Sequence, residues 1–127
     1  MPAVLRNFDY VSDADWADRA AAMPPTVFYV REYHFDRFTW PPGKREINLA
    51  GHGFDFHRAA DIFSGKVLVT RSDRFGEVRW LAVGPLDAEL VAVAFVIEAP
   101  ACHILSIRKA RRYEREMYLD RIRTPRR

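Results

Sequence analysis

The sequence predicts an α+β fold: N-terminal helices, an antiparallel sheet of four to five strands, then a C-terminal helix. Three observations carry this. Short runs rich in β-branched and aromatic residues recur after residue 66, separated by turn residues. Apolar residues at helical spacing precede those runs. An arginine-rich segment with an apolar stripe follows the last of them. The connections are too short for parallel crossovers, which favours an antiparallel meander.

Residues 1–10 carry no clear pattern. Ser12 with Asp15 three positions on marks a helix start, because a hydroxyl and an acid can satisfy free backbone N–H groups there. Trp16, Arg19, Ala20 and Met23 continue the rhythm until Pro24 and Pro25 end it. Thr26–Phe35 reads as a strand. Its alternating sets, Val27, Tyr29, Arg31, Tyr33, Phe35 and Phe28, Val30, Glu32, His34, both carry aromatics. Such a strand invites aggregation at an open edge, so the preceding helix or a second subunit is expected to cover it. Phe38–Trp40 extends this strand or forms a short one of its own. Pro41 and Pro42 suit the first turn of a helix, KREINLA, that stops at Gly51, with His52 and Gly53 in the turn.

Asp55 caps a second helix in which Phe56, Ala59, Ala60 and Phe63 recur at i, i+3, i+4 and i+7, ended by Gly65. Strands are expected over Lys66–Arg71, Glu77–Val83, Glu89–Glu98 and Cys102–Ile107, with turns at Ser72–Gly76, Gly84–Asp87 and Pro100. Lys109–Arg123 forms the closing helix, with Ala110, Tyr113, Met117 and Ile122 as its apolar stripe. Trp40 and Trp80 are assigned to the core.

A chain of 127 residues, 49% of them apolar, is one domain with a real core and is not disordered throughout. The lone Cys102 sits in an apolar run and reads as a small buried hydrophobe. No secretory signal is read at the N-terminus, and the longest apolar run, Leu90–Ile97, falls short of the roughly 20 residues of a membrane helix. The expectation is a cytoplasmic protein with no membrane role. Net charge is +3, but residues 108–127 carry nine Arg or Lys against three acids, leaving −3 on the rest. A basic end on a mildly acidic body fits a phosphate-bearing or acidic partner, or a solvated helix face with a frayed tail.

Several separated features coincide: an aromatic-x-Trp strand at Phe38–Trp40, Lys44 and Asn48 on a helix, and Gly51-His52-Gly53. After them come Phe54-Asp55-Phe56, the Ala59–Phe63 helix, Glu77-x-Arg79 with Gly84, and Leu105–Ala110 followed by Glu114 and Tyr118. In order and spacing they resemble the BrnT family, the toxin half of a type II toxin–antitoxin pair. The resemblance spans about residues 38–120 and implies a RelE-like ribonuclease core over 37–120, a basic tail at 121–127, and an added N-terminal segment, 1–36, of helix plus strand. It departs from the family pattern at His57, where relatives have an acid, and near Phe95–Val96, where many carry a polar residue.

The resemblance implies metal-independent RNA cleavage in which the 2′-hydroxyl attacks the adjacent phosphate, with no cofactor. Such chemistry needs groups that move protons and cations that meet developing negative charge. Glu77 and Arg79, two apart on a strand, would share a sheet face, as a catalytic pair or a plain surface ion pair. Arg108 stands at a strand–helix junction with Arg112 and Arg115 at i+4 and i+7 and Arg111 bordering them. His52 is a candidate acid or base, or a structural cap.

Catalytic roles are therefore expected for His52, Glu77, Arg79 and Arg108, and RNA contacts for Lys44, Lys109, Arg111, Arg112, Arg115 and Tyr118, the last stacking on a base or packing inside. His34, His57 and His103 are scattered and make a poor metal site, so none is assigned. The resemblance further implies a ribbon-helix-helix antitoxin (BrnA-like), a toxin2–antitoxin2 complex, and operator DNA reached only through the antitoxin. A noncatalytic RNA- or protein-binding module using the C-terminal arginine face remains the alternative.

Overall fold

The computed structural model describes residues 12–20 and 27–123. The expected helix end at Met23–Pro25, the strand start at Thr26 and the last four residues of the basic tail lie outside them. Helix α1, Asp13–Ala20, starts as read: the Asp15 N–H donates to Ser12 Oγ at 3.1 Å. Strands β1 (Tyr29–Glu32) and β2 (Arg37–Thr39) follow, then α2 (Lys44–His52). A 3₁₀ turn at Phe56–Arg58 leads into the short helix α3 (Ala59–Ile62). The meander β3 (Lys66–Arg71), β4 (Trp80–Leu86), β5 (Glu89–Glu98) and β6 (Ala101–Lys109) comes next. Helix α4 (Arg112–Tyr118) and a wide turn at Leu119–Arg123 close the chain.

The α+β class holds, but the sheet has six strands in the order β1-β3-β4-β5-β6-β2 rather than four or five. All pairs are antiparallel except β2 with β6, which runs parallel, Arg37 opposite Ala101. Phe38–Thr39 is thus a strand of its own at the edge opposite β1. Tyr33 and Phe35 on the link pack against Phe63 and Phe95, 5.5–6.2 Å between ring centroids. A hydrogen bond of 2.8 Å between Thr39 Oγ1 and His103 Nδ1 secures the added edge.

One face of the sheet is closed. Val67, Val69, Trp80, Val93, Phe95, Ile104 and Ile107 meet Trp16 of α1 and Phe56, Ala59, Ile62 and Phe63 of the α3 region. Ala60, read as part of that stripe, is exposed and Ile62 takes its place, because the 3₁₀ start turns the helix away from ideal spacing. Arg31 also points into this face. It is buried, bonded to Asp13 Oδ1 at 2.9 Å, and lies 5.2 Å from the ring centroids of Trp16 and Tyr33. Burial pushes the Cys102 thiol up, as fits a small core residue.

The other face is half closed. Leu68, Val83, Ala110 and Tyr118 pack there with Phe28, Val30, Met117 and Ile122. The edge strand β1 is therefore covered on both sides, by α1 and by the C-terminal segment, which accounts for its two aromatic faces.

Several boundaries differ from the sequence reading, four of them for a local reason. Helix α2 runs past Gly51 through His52, and Gly53 ends it with φ 81° and its N–H on Leu49 O at 3.0 Å. Glu77–Arg79 precede β4 instead of opening it, because Arg74 and Glu77 exchange backbone hydrogen bonds of 3.1 and 2.9 Å around a tight turn. Gly84 and Pro85 stay in β4, with the turn at Asp87–Ala88, since their partners Val91 and Leu90 continue the ladder. Strand β6 runs to Lys109, so α4 starts three residues late. Glu114 and Tyr118 within it, with Ala110 just ahead of it, become the inward positions, leaving Tyr113 half-exposed.

Candidate functional site

Pairing Thr70 with Leu81, Leu81 with Ala94 and Ala94 with Ser106 lines up four small or apolar side chains across the uncovered part of the second face. Around this floor lies a cavity of about 560 Å³ lined by six cations: Lys44, Arg71, Arg74, Arg79, Arg108 and Arg111. Its lining has one acidic residue, Glu114. Three elements deliver the charge: the N-terminus of α2, the β3–β4 hairpin, and the β6–α4 junction. A bulge between the β5–β6 pairs Ala94–Ser106 and Phe95–Ile104 inserts Leu105, so Leu105 and Ser106 both reach the cavity.

Arg108 is held rigidly. Its Nη1 and Nη2 donate to the two carboxylate oxygens of Glu114, each at 2.9 Å, and Nη1 also donates to Lys109 O at 3.1 Å. Glu114 is fully buried and accepts the Arg111 N–H at 2.7 Å as well. Burial pushes this carboxyl up, but the hydrogen bonds from Arg108 and Arg111 outweigh it and hold it below the ordinary range. The pair aims Arg108 at the cavity with only part of its donor set in use. Asn48 anchors α2 alongside: its amide donates to Ile107 O and Phe54 O at 2.9 Å and accepts the Ile107 N–H at 3.0 Å. That bond pattern mimics a strand partner for β6 and sets Lys44 over the rim.

Arg79 Nε donates to Glu77 Oε1 at 2.8 Å, so the expected pair forms, on the hairpin arm instead of on a strand. Arg71 pairs with Asp73. Among the described residues no carboxylate lies within ion-pair reach of Lys44, Arg74 or Arg111.

The structure thus brings together Lys44, Arg79, Arg108 and Arg111, with Glu77 beside them, and separates the other candidates. His52 is exposed at the far end of α2, about 12 Å along the helix from Lys44, and lines no part of the cavity. Arg112 points to solvent and pairs with Glu116 at 3.1 Å. Arg115 donates to Ala110 O, and with Lys109 it lines a second concavity near Asp87 and Glu89. The expected single arginine face is therefore split, because Arg108 belongs to the strand and only the other two to the helix. Tyr118 is buried against the sheet and unavailable for stacking, which corrects its expected RNA contact.

The sequence reading missed Arg71, Arg74, Tyr113 and Glu114. Arginines on both arms of one short hairpin signal the first two, and the Arg111…Glu114 spacing of a helix start signals the last.

Among the described residues no helix is long and apolar enough to cross a membrane. A search of curated protein sequences finds no match. A family model described as the ribonuclease toxin BrnT of type II toxin–antitoxin systems matches residues 40–114, more than half of the chain. All but one of the cavity-lining residues fall inside that span, Phe28 being the exception. The chain belongs to the BrnT family of ribonuclease toxins of type II toxin–antitoxin systems.

Proposed function

We propose that the cationic cavity is where RNA is cut, by a metal-independent attack of the RNA's own 2′-hydroxyl. The observation that carries this is the convergence of six cations on one concavity around an uncharged floor. Glu77 accepts the 2′-hydroxyl proton as the 2′-oxygen bonds to phosphorus. The bond from phosphorus to the 5′-oxygen breaks, that oxygen takes a proton from solvent water, and a 2′,3′-cyclic phosphate remains. Arg79 and Arg108 meet the negative charge that grows on the phosphoryl oxygens, the kind of fixed donor worth roughly 10²–10³-fold in rate. Lys44, Arg74 and Arg111 hold the flanking phosphates. DNA lacks the attacking group and is not cut.

Family membership supplies the RNA target and a protein antitoxin. The antitoxin is a ribbon-helix-helix protein whose dimer joins two toxins and carries the assembly to operator DNA. It neutralises the toxin by presenting carboxylates to the same guanidinium groups, which chiefly speeds association and sets specificity.

The test uses purified protein and single-stranded RNA in excess EDTA. Cleavage with cyclic phosphate ends is expected, and Arg79→Ala should lower its rate about 10²-fold or more while the protein stays folded. Activity lost on chelation and restored by a divalent metal would overturn the mechanism. RNA binding with no cleavage under any condition would leave a noncatalytic binding module.

A further inference from the structure

Phe75 is 94% exposed at the tip of the β3–β4 hairpin, the most exposed large hydrophobic side chain among the described residues. Its backbone is also costly. Phe75 and Gly76 form the two-residue turn between Arg74 and Glu77, both at positive φ, 53° and 74°. Such a turn favours Asn-Gly, since a bulky L residue rarely adopts the left-handed region. Neither fold nor solubility asks for phenylalanine here. The ring stands beside the cavity: the Arg79 guanidinium lies 5.9 Å from its centroid, and Arg74 and Arg79 line the rim.

We propose that Phe75 is a stacking platform for a nucleobase of single-stranded RNA adjacent to the phosphate held in the cavity, a reading that rests on the function proposed above. Cations hold a backbone regardless of its bases, whereas an exposed aromatic ring beside them can take the face of a base. The arrangement favours unpaired RNA, because a base in a duplex has no free face to offer. Stacking tolerates any base, so Phe75 would add affinity and register more than sequence choice. The ring's contact with Arg79 places the base next to a group that acts on the phosphate.

The turn chemistry supplies the test. Phe75→Asn removes the ring and installs the residue this turn prefers, so the fold should be kept or stabilised; Phe75→Trp keeps an aromatic face. Binding is measured by fluorescence anisotropy with a noncleavable 2′-O-methyl oligoribonucleotide of mixed sequence and with an abasic oligomer of the same length. For Phe75→Asn, affinity for the base-bearing strand should fall on the order of 10-fold, abasic binding should be unchanged, and Phe75→Trp should restore the loss. Equal losses on both strands would show that the effect runs through Arg79 or backbone charge, overturning the proposal. Unchanged RNA binding with weakened antitoxin binding would assign the ring to that partner instead, also overturning it. Should the native protein neither bind nor cut RNA, the parent reading falls and this one with it. Native-like cleavage and binding in Phe75→Asn would sink this inference alone.

Discussion

The two faces of the sheet are made by the same strands and put to opposite uses. On the closed face Trp80, Phe95 and Ile104 are almost wholly buried beneath helices, and aromatic edges meet Tyr33, Phe35 and Phe63. On the other face, at neighbouring positions of the same strands, Leu81, Ala94 and Ser106 form a shallow floor that the C-terminal helix leaves uncovered, ringed by arginine and lysine. Stability and charge are thereby kept apart by less than a strand's thickness. Pairing along the sheet spares the cations of the cavity rim from having to fold the protein, with one exception. Arg108 is tied to the buried Glu114 and so serves both purposes.

The comparison breaks most visibly if the closed face is cut. Phe95→Ala should cost about 3–5 kcal/mol of stability, since removing a buried aromatic leaves a cavity that packing fills poorly. Urea unfolding measures it, and any loss of RNA cleavage should track the folded fraction. Unaltered stability would mean that this face is not the core it looks to be.

Arg108→Ala should cross the boundary, abolishing cleavage and also destabilising by about 3 kcal/mol, because it strands a buried carboxylate. Adding Glu114→Gln should recover much of the stability and none of the activity. The pair also makes stability pH-dependent. The Glu114 carboxyl is held below its ordinary value, so its contribution is complete above the ordinary carboxylate range and drains away as pH falls through the lowered value. Thermal unfolding of Glu114→Gln should be less sensitive to acid than that of the native chain. Equal acid sensitivity would place the titration elsewhere, with Asp55 next, its carboxyl held far down by hydrogen bonds from Arg45 and from the His57 N–H.

The smallest expected effect sharpens the picture. Arg112→Ala, on an exposed helix flank and paired with Glu116, should change stability by at most about 0.5 kcal/mol and RNA cleavage within error. A large loss of cleavage would extend the site beyond the sheet face and along α4.

How much of this was legible follows from which interactions are local. The Ser12 cap, the Asp55 cap, the β3–β6 meander and the strand-like Tyr29–Glu32 rest on neighbours in the chain or on alternation, and the sequence displays both. The pairing of Glu77 with Arg79 was legible because only Val78 lies between them in the chain. The placements of His52, Tyr118 and the Arg108–Arg112–Arg115 set were not legible, because each depended on where an element ends. Two extra helical residues before Gly53, or two more strand residues before α4, redirect the side chains that follow, by about 100° per residue on a helix.

The sequence by itself determined the α+β class, the family likeness, which the family model matches over residues 40–114, and the basic C-terminal end. Tertiary structure alone decided which of the cations converge. Arg71, Arg74 and Arg79 meet Arg108, Arg111 and Lys44 only because four strands lie in one register and Asn48 docks α2 on β6. It alone also gave Arg108 its buried partner and sent β2 to the far edge beside β6. Cross-strand register and docking are long-range choices, settled by which apolar faces can be buried at once, and no window along the chain contains that information.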